Sequence, residues 1–282
     1  ASDPAVRLAA VERLGKTGDP LARTRLQSLL DGEESDATVR AAAEQSLAQV
    51  KNKLLIGELL GQAFSGLSLG SILLLAALGL AITFGLLGVI NMAHGEFLTI
   101  GAYTTFVVSS LTSSYAPAFG PYYFFLAIIL SFFIAGAIGW LVEWAMISKL
   151  YQRPLDTLLA TWGLSLVMQQ GFRSIFGARE VSATLPDWLM GSWNPSEAID
   201  IPRNGLFVMG LTLLLTALLF LMIYRSRWGL QVRATMQNRV MARSVGINTK
   251  RVDRMTFALG CGVAGVAGAA FTTIGSTGPT AG

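Results

Sequence analysis

One histidine and one glutamate stand two residues apart in the stretch Gly88-Val89-Ile90-Asn91-Met92-Ala93-His94-Gly95-Glu96-Phe97, and His94 is the only histidine of the chain. An imidazole beside a carboxylate can hand on a proton or hydrogen-bond a polar solute. Catalysis has no comparable starting point. With one histidine and one cysteine, Cys261, the sequence offers no nucleophile–base pair, no metal-ligand cluster and no internal disulfide. The chain is therefore expected to be no enzyme and to need no cofactor or metal. A loose phosphate-loop match, Ala10-Val11-Glu12-Arg13-Leu14-Gly15-Lys16-Thr17, lacks the first glycine and follows a helix-periodic run instead of a strand, so it predicts no nucleotide site.

The elements that must position His94 and Glu96 are read from the absence of charge around them. Residues 59–93 carry no charged side chain, and neither do residues 97–142. A membrane-spanning helix needs roughly 20 apolar residues. The polar island therefore lies between two spans or dips into the bilayer, where ionisable groups usually face a bundle interior or a water-filled path. Gly88 and Gly95 bracket the island and permit a break in the helix. The plainer reading is a short loop with an interfacial His–Glu pair.

Five spans are expected, over residues 66–87, 96–113, 122–148, 205–224 and 255–275. Residues 157–172 are uncharged but only 16 long, which predicts a re-entrant or tilted helix, extended by burying Asp156 or Arg173. Its Thr157, Thr161 and Ser165 repeat at i, i+4 and so share one face, with Trp162 and Gln169 close by. Such a face either hydrogen-bonds a neutral solute or bonds a neighbouring helix. Together with Asn91, His94 and Glu96 these residues make the candidate substrate path. Glu143, in the third span, is expected to pair or to snorkel toward the basic end at Lys149 and Arg153. Gly260, Gly262, Gly265 and Gly268 in the last span predict close helix packing.

Composition fits this plan. A chain 52% hydrophobic and 13% charged, with mean hydropathy +0.55, is not an ordinary soluble domain. Residues 1–53 hold eight basic and eight acidic side chains, whereas residues 225–254 hold eight basic against one acidic, net +7. One basic loop between apolar spans is a positive-inside signature and not a nucleic-acid patch. In residues 1–53, Asp3-Pro4-Ala5-Val6-Arg7 recurs as Asp36-Ala37-Thr38-Val39-Arg40 at an offset of 33, each copy opening on an N-cap aspartate. That period suits stacked helix pairs of the HEAT type. The expected fold is all-α: a small HEAT-like domain over residues 1–53, then a polytopic membrane helical bundle over 54–282, with both ends of the chain read as cut.

Gly66-Leu67-Ser68-Leu69-Gly70-Ser71, Ala77-Leu78-Gly79-Leu80, Phe84-Gly85, Asn91-Met92-Ala93-His94-Gly95-Glu96 and Gly101-Ala102-Tyr103 resemble the branched-chain amino-acid permease family of ABC importers. Within it, Leu155-Asp156-Thr157-Leu158-Leu159-Ala160-Thr161-Trp162-Gly163 and the N-terminal helices resemble the urea-transporter permease subunit. The resemblance implies a second permease subunit, ATPase subunits and an external solute-binding protein as partners. It also implies urea as the solute, and further spans beyond residue 282. A permease for branched-chain amino acids or another small amide is the near alternative; an ATP-independent channel or scaffold is the distant one. Arg233, Ala234, Gln237, Arg239, Ala242 and Gly246 resemble the coupling segment that docks on the ATPase; the plainer reading is a basic anchor to anionic membrane lipid. With the basic loop inside a bacterial inner membrane and residues 155–176 crossing it, the N-terminal domain falls on the periplasmic side; a re-entrant 155–176 would reverse that.

Overall fold

A computed structural model of the chain describes residues 4–32, 36–151, 153–196 and 199–280. It is helical apart from one hairpin and an isolated bridge among those residues, and it divides into two compact units, Ala1–Ser68 with Gly191–Leu206, and Leu69–Met190 with Phe207–Gly282.

In the first unit, α1 (Pro4–Lys16), α2 (Pro20–Asp31) and the start of α3 (Ala37–Leu80) close a small core of Val11, Ala22, Leu26, Val39, Ala43, Leu47 and Val50. Asp19 caps α2 by accepting the Leu21 N–H at 2.8 Å, with Pro20 pre-set for the first turn. Asp36 does the same for α3, accepting from the Thr38 hydroxyl (2.6 Å) and N–H (2.9 Å), bonds that hold its carboxyl below the usual carboxylate range. The companion cap expected at Asp3 lies outside the described residues. No break marks Lys53, because α3 runs on through it; the boundary of the unit falls inside that helix, at Ser68. The same unit holds an antiparallel hairpin, β1 (Ser192–Ser196) with β2 (Ile199–Pro202). A Cβ on Gly61 of α3 would lie 3.6 Å from the Asp200 carbonyl oxygen, and one on Gly205 would lie 3.1 Å from Phe64 and Ser68.

The second unit is built around α10 (Thr249–Phe271), which is buried almost all round from Gly260 to Ala270. It packs along α4 (His94–Tyr115) and α5 (Tyr123–Ala145). Its glycines are where the backbones meet: Gly265 lies against Gly101, Gly268 against the Leu98 carbonyl, and Gly260 against Gly79. The remaining helices are α6 (Pro154–Phe176), α7 (Arg203–Arg225), α8 (Arg227–Gln237) and α9 (Arg239–Ser244).

Among the described residues, four helical stretches are long and apolar enough to cross a membrane: Ala37–Leu86, Tyr123–Lys149, Arg203–Arg225 and Thr249–Phe271. At 1.5 Å per residue, α4 and α6 reach about 33–35 Å, also the depth of a bilayer core. Their buried hydroxyls lower the hydropathy, and most are satisfied within the helix; Thr104 and Thr105 bond back to the Ile100 and Gly101 carbonyls at 2.7 and 3.0 Å. The helix expected at 157–172 is extended through Asp156 and Arg173, so that α6 has 23 residues, but the burial expected of one of them is corrected. Neither is buried in the bundle. Both are exposed near the helix ends, and Asp156 meets Arg153 at 3.4 Å.

The ends of the second unit sort cleanly. At one end Ser109 and Tyr123 bond Thr184, Trp188 donates to the Pro121 carbonyl (2.6 Å), and Val181 pairs with Thr277. At the other, Arg254 meets Glu143 at 3.0 Å and Arg239 forks onto Asp253 at 2.6 and 3.0 Å. Glu143 thus pairs, as expected, and Tyr151 donates to its second oxygen at 3.2 Å. Burial, with the Asp253 and Glu143 carboxylates beside it, holds the Tyr151 phenol far above its ordinary range, so that hydroxyl remains a donor.

Candidate functional site

The polar island forms where α3 loses its regular winding. A π-helical turn, Ala81–Leu86, continues α3, and Gly88 adopts φ +70, a left-handed conformation that glycine accepts without a Cβ clash. The chain then runs through residues 89–93 and re-enters helix at His94. Asn91 steadies this passage by accepting the Ala93 N–H on its Oδ1 at 3.1 Å.

His94 and Glu96 point to different neighbours. The His94 ring lies over Gly79, with Nε2 3.0 Å from the Ala76 carbonyl; a carbonyl only accepts, so Nε2 carries the proton. Glu96 turns to α6, and its Oε1 accepts from Ser165 (2.9 Å) and Gln169 (2.7 Å). The two residues do not bond each other, since His94 Nδ1 and Glu96 Oε2 are buried without a partner. Glu96 is 2% exposed and, among the described residues, has no Lys or Arg at ion-pair distance. Thr161 and Ser165 lie seven and eleven residues into α6, so the island sits about 10–17 Å along that helix.

Of the candidate path residues, Asn91, His94, Glu96, Thr161, Ser165 and Gln169 are gathered here. Thr161 is a staple: it accepts the Met92 N–H (3.1 Å) and donates within α6. Thr157 is turned to the Leu150 and Arg153 carbonyls. Trp162 faces outward, 54% exposed. On this showing the hydroxyl face binds α6 to the island. Tyr103 belongs with the island's α4 face and was missed. It follows Glu96 and Ile100 at i+7 and i+3, stacks on Phe176 at 4.1 Å, and buries a hydroxyl without a partner. That spacing was the available signal.

The basic loop folds as two helices, α8 and α9, that meet at Asn238. Asn238 caps α9, its Oδ1 accepting the Met241 N–H at 3.0 Å. Gly246, at φ +90, ends α9 in a Schellman motif: its N–H bonds Arg243 O, and the Ile247 N–H bonds Ala242 O, both at 3.0 Å. Three coupling candidates are committed inside the chain. Arg239 holds Asp253, Arg233 bonds the Ile223 carbonyl, and Ala242 is 3% exposed. Burial corrects the expectation that the Ala242 side chain is offered to a partner. Ala234 is half-buried; Gln237 and Gly246 are exposed. What α9 and its end do present is Val240 (78% exposed), Met241 (61%) and Val245 (70%).

Two family models match the chain. Residues 62–281 match "Branched-chain amino acid transport system / permease component", and residues 1–48 match "HEAT repeats". The high-affinity branched-chain amino acid transport system permease protein LivH of Escherichia coli (strain K12) is 32% identical over 221 residues, 74% of this chain and 69% of the relative. LivH of Salmonella typhimurium is 33% identical over 228 residues, with the same shares. BraD of Pseudomonas aeruginosa, another high-affinity branched-chain amino acid permease protein, is 28% identical over 221 residues, again 74% and 69%. No solved structure matches the chain.

Proposed function

Because the chain belongs to the branched-chain amino acid ABC permease family, we propose that it is the permease subunit of an ATP-driven importer carrying a branched-chain amino acid past Glu96. Members of this family are transport components and not enzymes. The observation that carries the proposal is the buried Glu96 carboxyl with one oxygen, Oε2, still unengaged. An α-ammonium group would take that oxygen, and Phe97 with Leu164 and Met168 supplies apolar surface for an aliphatic side chain. Glu96 is closed off in this conformation, so α6 must part from α4 for solute to reach it; Ser165 and Gln169 reclose the site once the solute leaves. The urea expected from the resemblance becomes the second reading. It keeps support from Leu155–Gly163, from the HEAT match, and from the absence among the described residues of a Lys or Arg beside Glu96 for an amino-acid carboxylate.

The test is uptake of radiolabelled leucine and urea by cells carrying the complete transporter, with and without Glu96→Gln. A hydrogen bond to a charged group is worth about 1.5–3 kcal/mol, so leucine uptake is expected to fall by roughly tenfold or more at unchanged abundance. Normal uptake would take Glu96 out of the path; urea uptake without leucine uptake would exchange the two readings.

The partners proposed are a second permease subunit, ATPase subunits docking on the basic loop, and an external solute-binding protein. Docking is assigned to the exposed Val240, Met241 and Val245, whose motion would pass through α8 and α9 to the spans. Met241→Glu is expected to uncouple ATP hydrolysis from uptake while leaving the chain folded. Ala242→Arg, by contrast, drives a cation into covered space and should lower abundance first. Full coupling in Met241→Glu would move the docking site elsewhere.

The basic loop is placed in the cytoplasm, and the HEAT-like residues 1–53 in the periplasm. Support comes from the first unit: the 191–206 segment lies with residues 1–68, so an even number of crossings separates them. Crossings by α3, α4, α5 and α6 satisfy this; a re-entrant α6 does not. Cys261 is buried, so single cysteines read without background. A cysteine replacing Thr24 should react with an impermeant thiol reagent in spheroplasts, and one replacing Asn238 should not; the reverse pattern inverts the topology.

A further inference from the structure

Two adjoining cavities on the outer surface of the α5–α10 pair include none of the path residues and none of the exposed α9 residues assigned to docking. The first, of 330 Å³, is a groove walled by Phe132 and Phe133, floored by Gly136, Ala137 and Ala258, and almost wholly apolar. The second, of 520 Å³, is lined by Asn248, Lys250, Arg251 and Arg254. Trp140 and Met255 line both, so the basic cavity opens onto the groove. We infer that together they bind an anionic phospholipid from the leaflet on the basic-loop side, its headgroup at Lys250 and Arg251 and an acyl chain along the groove.

The charge balance supports this occupant. Arg254 is neutralised by Glu143 at 3.0 Å and lies over the Trp140 ring at 5.8 Å. Lys250 and Arg251 are in no ion pair among the described residues, and so bring two uncompensated cations to the mouth. Lys250 also borders a 650 Å³ cavity lined by Lys149, Arg153, Arg239 and Arg243 against Glu143 and Asp253, a balance that stays positive. Basic pockets between membrane helices on the cytoplasmic side suit anionic headgroups. Trp140, half exposed and stacked on Trp144, marks the interfacial level. From Trp140 to Phe132 the groove follows eight residues of α5, about 12 Å, most of one leaflet's apolar depth. A helix of a second permease would fill the apolar groove but leave the two cations facing nothing, so the lipid is favoured.

Trp140 is the probe. The assembled transporter is placed in phosphatidylcholine vesicles doped with brominated-chain phosphatidylglycerol, or with the same amount of brominated phosphatidylcholine. Subtracting the Trp140→Phe signal isolates the quenching of Trp140. It is expected to be several-fold stronger with the anionic lipid at low doping. Each basic residue near a membrane contributes about 1 kcal/mol toward anionic lipid, so Lys250→Gln with Arg251→Gln should weaken the preference roughly 30-fold. Ala137→Leu, at an exposed groove position, should reduce quenching by both lipids. Equal quenching by the two lipids in the parent protein would leave only ordinary boundary lipid. No quenching by either would mean that protein covers the groove. A preference surviving the double substitution would place the headgroup elsewhere, and each of these three results overturns the assignment.

Discussion

Gly268→Ala is expected to keep α4 and α10 from closing on each other and to lower the yield of folded chain more than any conservative change at the polar island. A Cβ at this position would lie 1.8 Å from the Leu98 carbonyl oxygen and 2.6 Å from its carbon. Both obstacles are backbone, so no rotamer change relieves them and the helices must move apart. Overpacking a well-filled core costs about 1–3 kcal/mol, occasionally more, and a clash with helix backbone belongs at or above the top of that range. Gly101 is the mirror case, its Cβ position 1.8 Å from the Gly265 oxygen. Gly70→Ala is the control: nothing lies within 4 Å of its Cβ position, and alanine favours helix over glycine by roughly 0.8–1 kcal/mol. Thermal unfolding of the purified chain should rank Gly268→Ala far below the parent and Gly70→Ala level with it or above. Equal midpoints for the two variants would mean that α4 and α10 are not in backbone contact.

Arg254→Leu is expected to destabilise the chain to a comparable degree, by about 3–5 kcal/mol, the usual cost of stranding one member of a buried ion pair. Glu143 is almost fully buried in α5 and would keep only the Tyr151 hydroxyl as a partner. Joint replacement, Glu143→Leu with Arg254→Leu, should recover most of the loss, because two matched apolar groups carry no desolvation penalty. The pair would then be a device of register, fixing α5 against the start of α10, rather than a large net source of stability. Unfolding midpoints of the single and double variants decide it; a double variant as unstable as Arg254→Leu alone would count against that role.

Legibility differed from residue to residue. The Asp36 cap, the uncharged tracts and the glycines of α10 were readable because each acts through local backbone geometry or through the solvent the segment requires. Glu143 was readable as paired, though not its partner 111 residues away. The hairpin at 192–202 was invisible, since a short strand ending in Pro202 has the composition of a loop. The surroundings of the α6 ends were misjudged: extension was expected to bury Asp156 or Arg173, whereas both stay exposed at the helix ends.

By itself the sequence determined that this is a polytopic helical membrane protein with a basic loop on one side and an ionisable pair set among apolar helices. Those features depend on period, length and charge, which a linear chain displays. Only the tertiary structure decided that His94 and Glu96 face opposite neighbours, α3 and α6, and that Ala242 is covered while Val240 and Met241 are bare. A small side chain fits a crowded interior and a partner's groove equally well, and two residues apart on a helix top are separated by about 200° of rotation. Which side meets solvent, lipid or another helix is set by packing between segments far apart in the chain.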